Sequence, residues 1–111
     1  VKLKYLSMIQ EALKKNWLPK RQYAMFYDRL VLGQGKKQLY GTQLAMSKEN
    51  KKPYVLPLDD ARNVDKRRVE MGLNSMQENL NRWNLTWDVE AYLKILPKLE
   101  AKERALNQKN N

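Results

Sequence analysis

The chain contains no cysteine and no histidine among its 111 residues. Those two absences exclude disulfide frameworks, zinc ribbons, thiol nucleophiles and any catalytic triad built on an imidazole. No apolar run approaches the ~20 residues needed to cross a bilayer. A phosphate-cradling glycine-rich loop is missing too, since Gly33-Gln34-Gly35-Lys36 is too short for one and lacks the Lys-Ser/Thr ending. The acids nearest each other, Asp59 and Asp60, have the look of a helix cap, so no metal site is expected. No cofactor is implied either. The aromatic residues are scattered and do not form the paired pattern of an RNA-stacking sheet.

Acid is scarce at one end. Before Pro53 the only acids are Glu11, Asp28 and Glu49 against 12 basic residues, a net +9, and the remaining 10 basic and 9 acidic residues give +1. The total is +10. Lysine and arginine come in pairs at Lys14-Lys15, Lys20-Arg21, Lys36-Lys37 and Lys51-Lys52. Such asymmetry fits an anionic partner, whether nucleic acid, a phosphorylated ligand or an acidic protein. It also fits plain solvation, because small domains commonly carry a net charge of ~2–8. The lack of disulfides leans towards a reducing, cytoplasmic setting, and an exported protein stays compatible. Apolar residues make up 42 % of the chain, enough for the core of one compact domain.

Periodicity supplies the layout. Leu3, Leu6, Ile9 and Leu13 mark one face of a helix over 3–15. Pro19 suits a first helical position, and Gln22, Tyr23, Phe26 and Arg29 continue a second helix. Gly33-Gln34-Gly35 breaks it. Lys36 to Ala45 has strand content with Gly41 marking a bulge, and Pro53 to Leu56 returns as its partner. Asp59 or Asp60 is placed to cap a helix over Ala61 to Met71 that ends at Gly72. Ser75-x-x-Glu78 is a capping box opening a short helix to about Trp83. A last helix follows Thr86 or Asp88, with Pro97 expected to bend or restart it and the polar tail 107–111 expected to fray. The predicted class is α+β: one mainly helical domain over 1–106 with a small antiparallel hairpin in the middle.

Three stretches differ from ordinary scaffolding. Gln38-Leu39-Tyr40-Gly41-Thr42-Gln43 is rich in amides and hydroxyls where a core strand would carry Val, Ile and Leu. On a strand, Gln38, Tyr40 and Thr42 would share one face, able to orient a polar ligand or simply to meet solvent. In Tyr27-Asp28-Arg29, Asp28 is either a tether for a nearby cation or a base, and Arg29 has the planar fork that grips phosphate or carboxylate. In Asp65-Lys66-Arg67-Arg68, Asp65 and Arg68 lie on a common helical side, as a structural pair or as part of a phosphate contact.

Taken in order, Tyr23-Ala24, Tyr27-Asp28-Arg29, Gly35, Gln38 to Gln43, Val64-Asp65-Lys66-Arg67-Arg68 and Gly72-Leu73 resemble the bacterial domain-of-unknown-function family 6624 from Tyr5 to Leu99. The resemblance implies no defined activity. It marks Asp28, Arg29, Gln38, Tyr40, Thr42, Gln43, Asp65 and Arg68 as matching the motif. It also implies an upstream helical region, carrying a Gln-His pair in longer members, against which the first helix here would pack.

The leading expectation is a binding domain in which Arg29 supplies charge, Gln38, Thr42 and Gln43 orient an anionic ligand, and Asp28 holds Arg29. One rival is a hydrolase or RNA-targeting toxin with Asp28 as base, Tyr40 as acid and Arg29 as oxyanion stabiliser. Another is an interaction module docking an acidic protein. All versions require the residues around Asp28 and Gln38–Gln43 to converge on one recess.

Overall fold

The computed structural model describes Ser7, Met8, Gln10, Glu11, Lys14 and Lys15, then residues 19–109, with side chains as far as Leu106. The apolar face expected at Leu3, Leu6, Ile9 and Leu13 lies outside the described residues. The architecture is α+β and mainly helical, with one two-stranded antiparallel hairpin.

Helix α1 (Lys20–Gly33) follows Pro19, which occupies the N-cap with φ −58°, one position earlier than the sequence suggests. It buries Tyr23, Ala24, Asp28 and Val31, a helical stripe that is apolar except for one carboxylate. Gln34 caps its end, and Gly35 turns the chain at φ +79°. Strand content from Lys36 onwards is not realised as a strand. The ladder covers only β1 (Leu44–Met46) and β2 (Pro53–Val55), in the register Leu44↔Val55, Ala45↔Tyr54, Met46↔Pro53. Lys36 to Gln43 is an irregular ribbon with a single parallel bridge, Gln38 to Leu58. Its amides are taken by a side chain instead of a neighbouring strand, and Gly41 at φ +67° bends it out of any pleat. The expected common face for Gln38, Tyr40 and Thr42 therefore does not exist.

A 3-10 turn (Ala61–Asn63) leads into α2 (Val64–Glu70). Neither Asp59 nor Asp60 caps the backbone there. Asp60 adopts a left-handed conformation, φ 44°, and its carboxylate accepts from Asn63 Nδ2 at 2.9 and 3.2 Å. The capping box is realised: Ser75 Oγ accepts from Glu78 N at 3.1 Å and opens α3 (Met76–Asn81). Asp88 Oδ1 accepts from Ala91 N at 3.1 Å and starts α4 (Val89–Lys109). Pro97 lies within α4, which is a single 21-residue element, so the proline neither ends nor restarts it. The helix also continues through Asn107 to Lys109, where an irregular tail was expected.

Two apolar clusters organise these elements. The larger joins Val55, Leu58, Ala61, Val64, Met76, Leu80, Tyr92 and Leu96, binding hairpin, α2, α3 and α4 together. Tyr92 locks it by donating its hydroxyl to Leu56 O at 2.8 Å. The smaller unites Tyr23 and Ala24 of α1 with Met71, flanked by Tyr27, Tyr40 and Leu73. Residues 38–43 run between the two clusters, and their placement decides where the polar groups face.

Candidate functional site

Asp28 is fully buried, at 0 % exposure. Its Oδ1 accepts from Leu39 N at 2.9 Å and Tyr40 N at 3.1 Å, and its Oδ2 accepts from Thr42 N at 3.1 Å and Thr42 Oγ1 at 2.7 Å. Helix α1 thus delivers one carboxylate into the bend of the ribbon, where it does for three backbone amides what a strand would have done. Gln38, also at 0 % exposure, supports the bend from its other side. Its Nε2 donates to Gln43 O and Leu56 O, both at 3.0 Å, and its Oε1 accepts from Gln43 N at 3.0 Å. Gln43 Nε2 in turn donates to Thr42 Oγ1 at 3.1 Å.

The carbonyls of the ribbon are held by α2. Arg67 Nε donates to Leu39 O at 2.7 Å, and its other nitrogens reach Asp60 O at 3.1 Å and Asp59 O at 2.5 Å. Arg68 Nη1 donates to Tyr40 O at 2.7 Å and Gly41 O at 3.3 Å, Nε donates to Asn74 O at 2.5 Å, and Nη2 to Asn74 Oδ1 at 3.0 Å. Asp65 does not pair with Arg68. Its Oδ1 accepts from Met76 N at 2.9 Å and ties α2 to the start of α3.

Of the residues expected to form one recess, Asp28, Gln38, Thr42, Gln43 and Arg68 do converge, along with the backbone of Tyr40. Arg29 does not. It is exposed on α1 and borders a shallow depression with Gln22, Met25 and Phe26, facing away from the ribbon because its neighbour Asp28 takes the inward position. Asp28 therefore orients the loop and not Arg29. A base needs an open lone pair near solvent, and this carboxylate is closed and fully engaged. Nor is Tyr40 a proton donor suited to neutral pH: burial first, then the neighbouring Tyr23 and Asp28, pushes its phenol up to about 12. Its ring packs edge-on to Tyr27 with centroids 5.8 Å apart, and Tyr27 lies 6.1 Å from Tyr23. Tyr27 is also raised, mainly by burial.

Arg68 has a second side. It borders a cleft of about 190 Å³ lined by Arg21, Arg68, Gly72, Leu73, Asn74 and Asn79, with no carboxylate among them. Arg68 is 2 % exposed, yet no carboxylate among the described residues lies within ion-pair distance of its guanidinium. Burial lowers its pKa, Asp65 and Asp28 pull it back from further off, and Arg82 lowers it again. Opposite, Arg21 Nε donates to Gly72 O at 2.9 Å, and its terminal nitrogens make no hydrogen bond to any described residue. Asn79 gives its carbonyl oxygen and Oδ1 to Arg82, at 3.3 and 3.0 Å. Asn74 does the same for Arg68. Each carboxamide oxygen already accepts from a guanidinium group, and the Nδ2 groups make no hydrogen bond to any described residue.

The sequence marks Arg67 within the Asp65–Arg68 stretch and Arg21 only as one of the basic pairs, whereas nothing in it marks Asn74 or Asn79. A separate apolar groove of about 270 Å³, between β2 and α4, is lined by residues including Tyr54, Leu85, Trp87, Tyr92 and Ile95. Among the described residues no group of His, Cys, Asp or Glu is arranged to hold a metal ion, and no helix is long and apolar enough to cross a membrane.

The ordered motif, from Tyr23 through the Asp28-anchored ribbon to Arg68, places this chain in a known class. It belongs to DUF6624, a family of unknown function, which it matches over residues 4–92. Comparison with curated proteins and with solved structures gave no match.

Proposed function

We propose that this domain binds an anionic, phosphate-bearing ligand, and that the binding site is the cleft beside Arg68. The observation that carries the proposal is a buried guanidinium with no carboxylate in contact, set at the wall of a cleft that no acid lines. A buried charge ordinarily has a counter-charge, because taking an ion out of water costs several kcal/mol. Here the carbonyls of Tyr40, Gly41 and Asn74 satisfy the hydrogen bonds of Arg68 but carry no formal charge, Asp65 and Asp28 act on it only from beyond ion-pair distance, and Arg82 and Arg21 add to the positive potential. An oxyanion entering the cleft would supply the missing charge and accept from Arg21, Asn74 and Asn79. The Asp28–ribbon–Arg68 network acts as the rigid support that such a site needs.

The test is a titration of the full chain with inorganic phosphate, followed by amide and side-chain NMR. A site of millimolar affinity, about −4 kcal/mol, would show saturating shifts at Asn74, Asn79 and Leu73. Arg21→Ala and Asn79→Ala should weaken binding while Arg29→Ala leaves it unchanged. Shifts confined to the Arg29 depression, or none at all, would reject the proposal. If single-stranded RNA binds more tightly than phosphate, its affinity should fall steeply with salt as counterions are released.

A further inference from the structure

We infer that the cleft selects a terminal phosphomonoester in its dianionic form over a phosphodiester or any singly charged oxyanion. The inference rests on the anion-binding proposal and names its ligand class. Two features of the cleft carry it.

The first is donor excess. Arg21 presents both terminal nitrogens, Arg68 retains one Nη2 hydrogen beyond the bond to Asn74 Oδ1, and the Nδ2 groups of Asn74 and Asn79 make no hydrogen bond to any described residue. The oxygens of both carboxamides each already accept once, from Arg68 and Arg82, so the unengaged side-chain hydrogens of the lining outnumber its remaining side-chain lone pairs. A protonated phosphate oxygen carries a hydrogen that needs one. On a protonated oxygen that hydrogen takes up a position from which these donors could otherwise be accepted. A terminal dianion has three non-bridging oxygens and no hydrogen, so every contact with these donors is productive.

The second feature is charge. Arg21 and Arg68 line the cleft and Arg82 acts on Arg68 from beside it, whereas no acid lines it. Two negative charges are better matched to that field than one.

The composition makes the inference testable with unusual clarity. The chain has no histidine and no cysteine, so no side chain with an ordinary pKa titrates between pH 5 and 8. Any strong rise in affinity across pH 5 to 7.5 must therefore come from the ligand.

The experiment is calorimetry on the full chain with methyl phosphate, dimethyl phosphate and sulfate at pH 5 and pH 7.5. Sulfate remains a dianion throughout and reports any change in the protein itself. With a second pKa of about 6 for a phosphomonoester, methyl phosphate should bind about tenfold more tightly at pH 7.5 than at pH 5. Sulfate affinity should stay level, and dimethyl phosphate should bind at least about tenfold more weakly than methyl phosphate at pH 7.5. Equal affinity for the two phosphate esters, or a flat profile for methyl phosphate, overturns the selectivity while leaving anion binding in place. A sulfate profile that rises in parallel also overturns it, because the pH effect would then belong to the protein. Failure of all three ligands to bind removes the anion-binding proposal as well.

Discussion

Replacing Asp28 by asparagine changes one atom and should still remove a large share of the stability. The carboxylate accepts four hydrogen bonds from three residues of the ribbon, at 2.7 to 3.1 Å, inside a site with no exposure. Asparagine offers an oxygen to one pair of donors and an NH2 group to the other pair. Its better orientation turns the oxygen towards the amides of Leu39 and Tyr40, since those cannot reverse. The NH2 then meets Thr42, whose hydroxyl can rotate to accept but whose backbone N–H cannot. One buried donor is left unpaired, at about 1–3 kcal/mol, and the remaining bonds lose the reinforcement of a full charge. The sum is a loss of about 2–4 kcal/mol, from a total that for a domain of this size is on the order of 5–15 kcal/mol. In melting temperature that is a fall of roughly 10–30 °C. Urea unfolding followed by far-UV circular dichroism measures it directly. Thr42→Val, which removes the 2.7 Å hydroxyl bond and keeps the backbone bonds, should cost about 1 kcal/mol and serves if Asp28→Asn does not fold. Should both variants unfold within about 0.5 kcal/mol of the parent, the carboxylate is not what holds the ribbon.

Two further outcomes follow from the same network. Gly41 has φ +67°, and a Cβ there would lie 2.7 Å from Met76 Sδ, whereas Gly35, at φ +79°, has nothing within 4 Å of that position. Gly41→Ala should therefore cost about 2–3 kcal/mol and Gly35→Ala about 1 kcal/mol, and equal losses in urea titrations would show that contact with Met76 is not limiting. The Tyr40 phenol, raised from 10 to about 12, remains neutral in the folded chain after it has ionised in the unfolded one. Its contribution is complete below pH 10 and declines as the pH rises from 10 to 12. Tyr40→Phe should flatten that part of the stability–pH curve, and an unchanged alkaline slope would assign it to other groups.

What could be read from the sequence was whatever depends on near neighbours. The capping box at Ser75 and Glu78, the break after Gly33, the turn at Gly72 and the hairpin return at Pro53 each follow from residues a few positions apart. The ribbon was misread because alternation assumes that backbone donors find another strand. Here they find Asp28, more than ten residues upstream, and no local pattern announces that. Asp65 and Arg68 were paired by helical spacing, but a backbone amide at Met76 and the carbonyls of Tyr40, Gly41 and Asn74 attract them more strongly than they attract each other. The candidate site shows the same division. Asp28, Gln38, Thr42, Gln43 and Arg68 were legible as a cluster of unusual polar residues. That most of them face inward, and that Arg68 opens on a cleft shared with Arg21 and Asn79, depends on how α2, α3 and α1 meet.

The anchored ribbon has a bearing on how the molecule comes apart. Segments without regular secondary structure are usually the first to loosen, but residues 39–42 are fastened to α1 by a carboxylate and to α2 by two guanidinium groups. Freeing them requires both helices to let go together. The least regular stretch of the chain is therefore a hub: α1, α2 and the hairpin share one cooperative opening, and any guest held near Arg68 would steady all three at once.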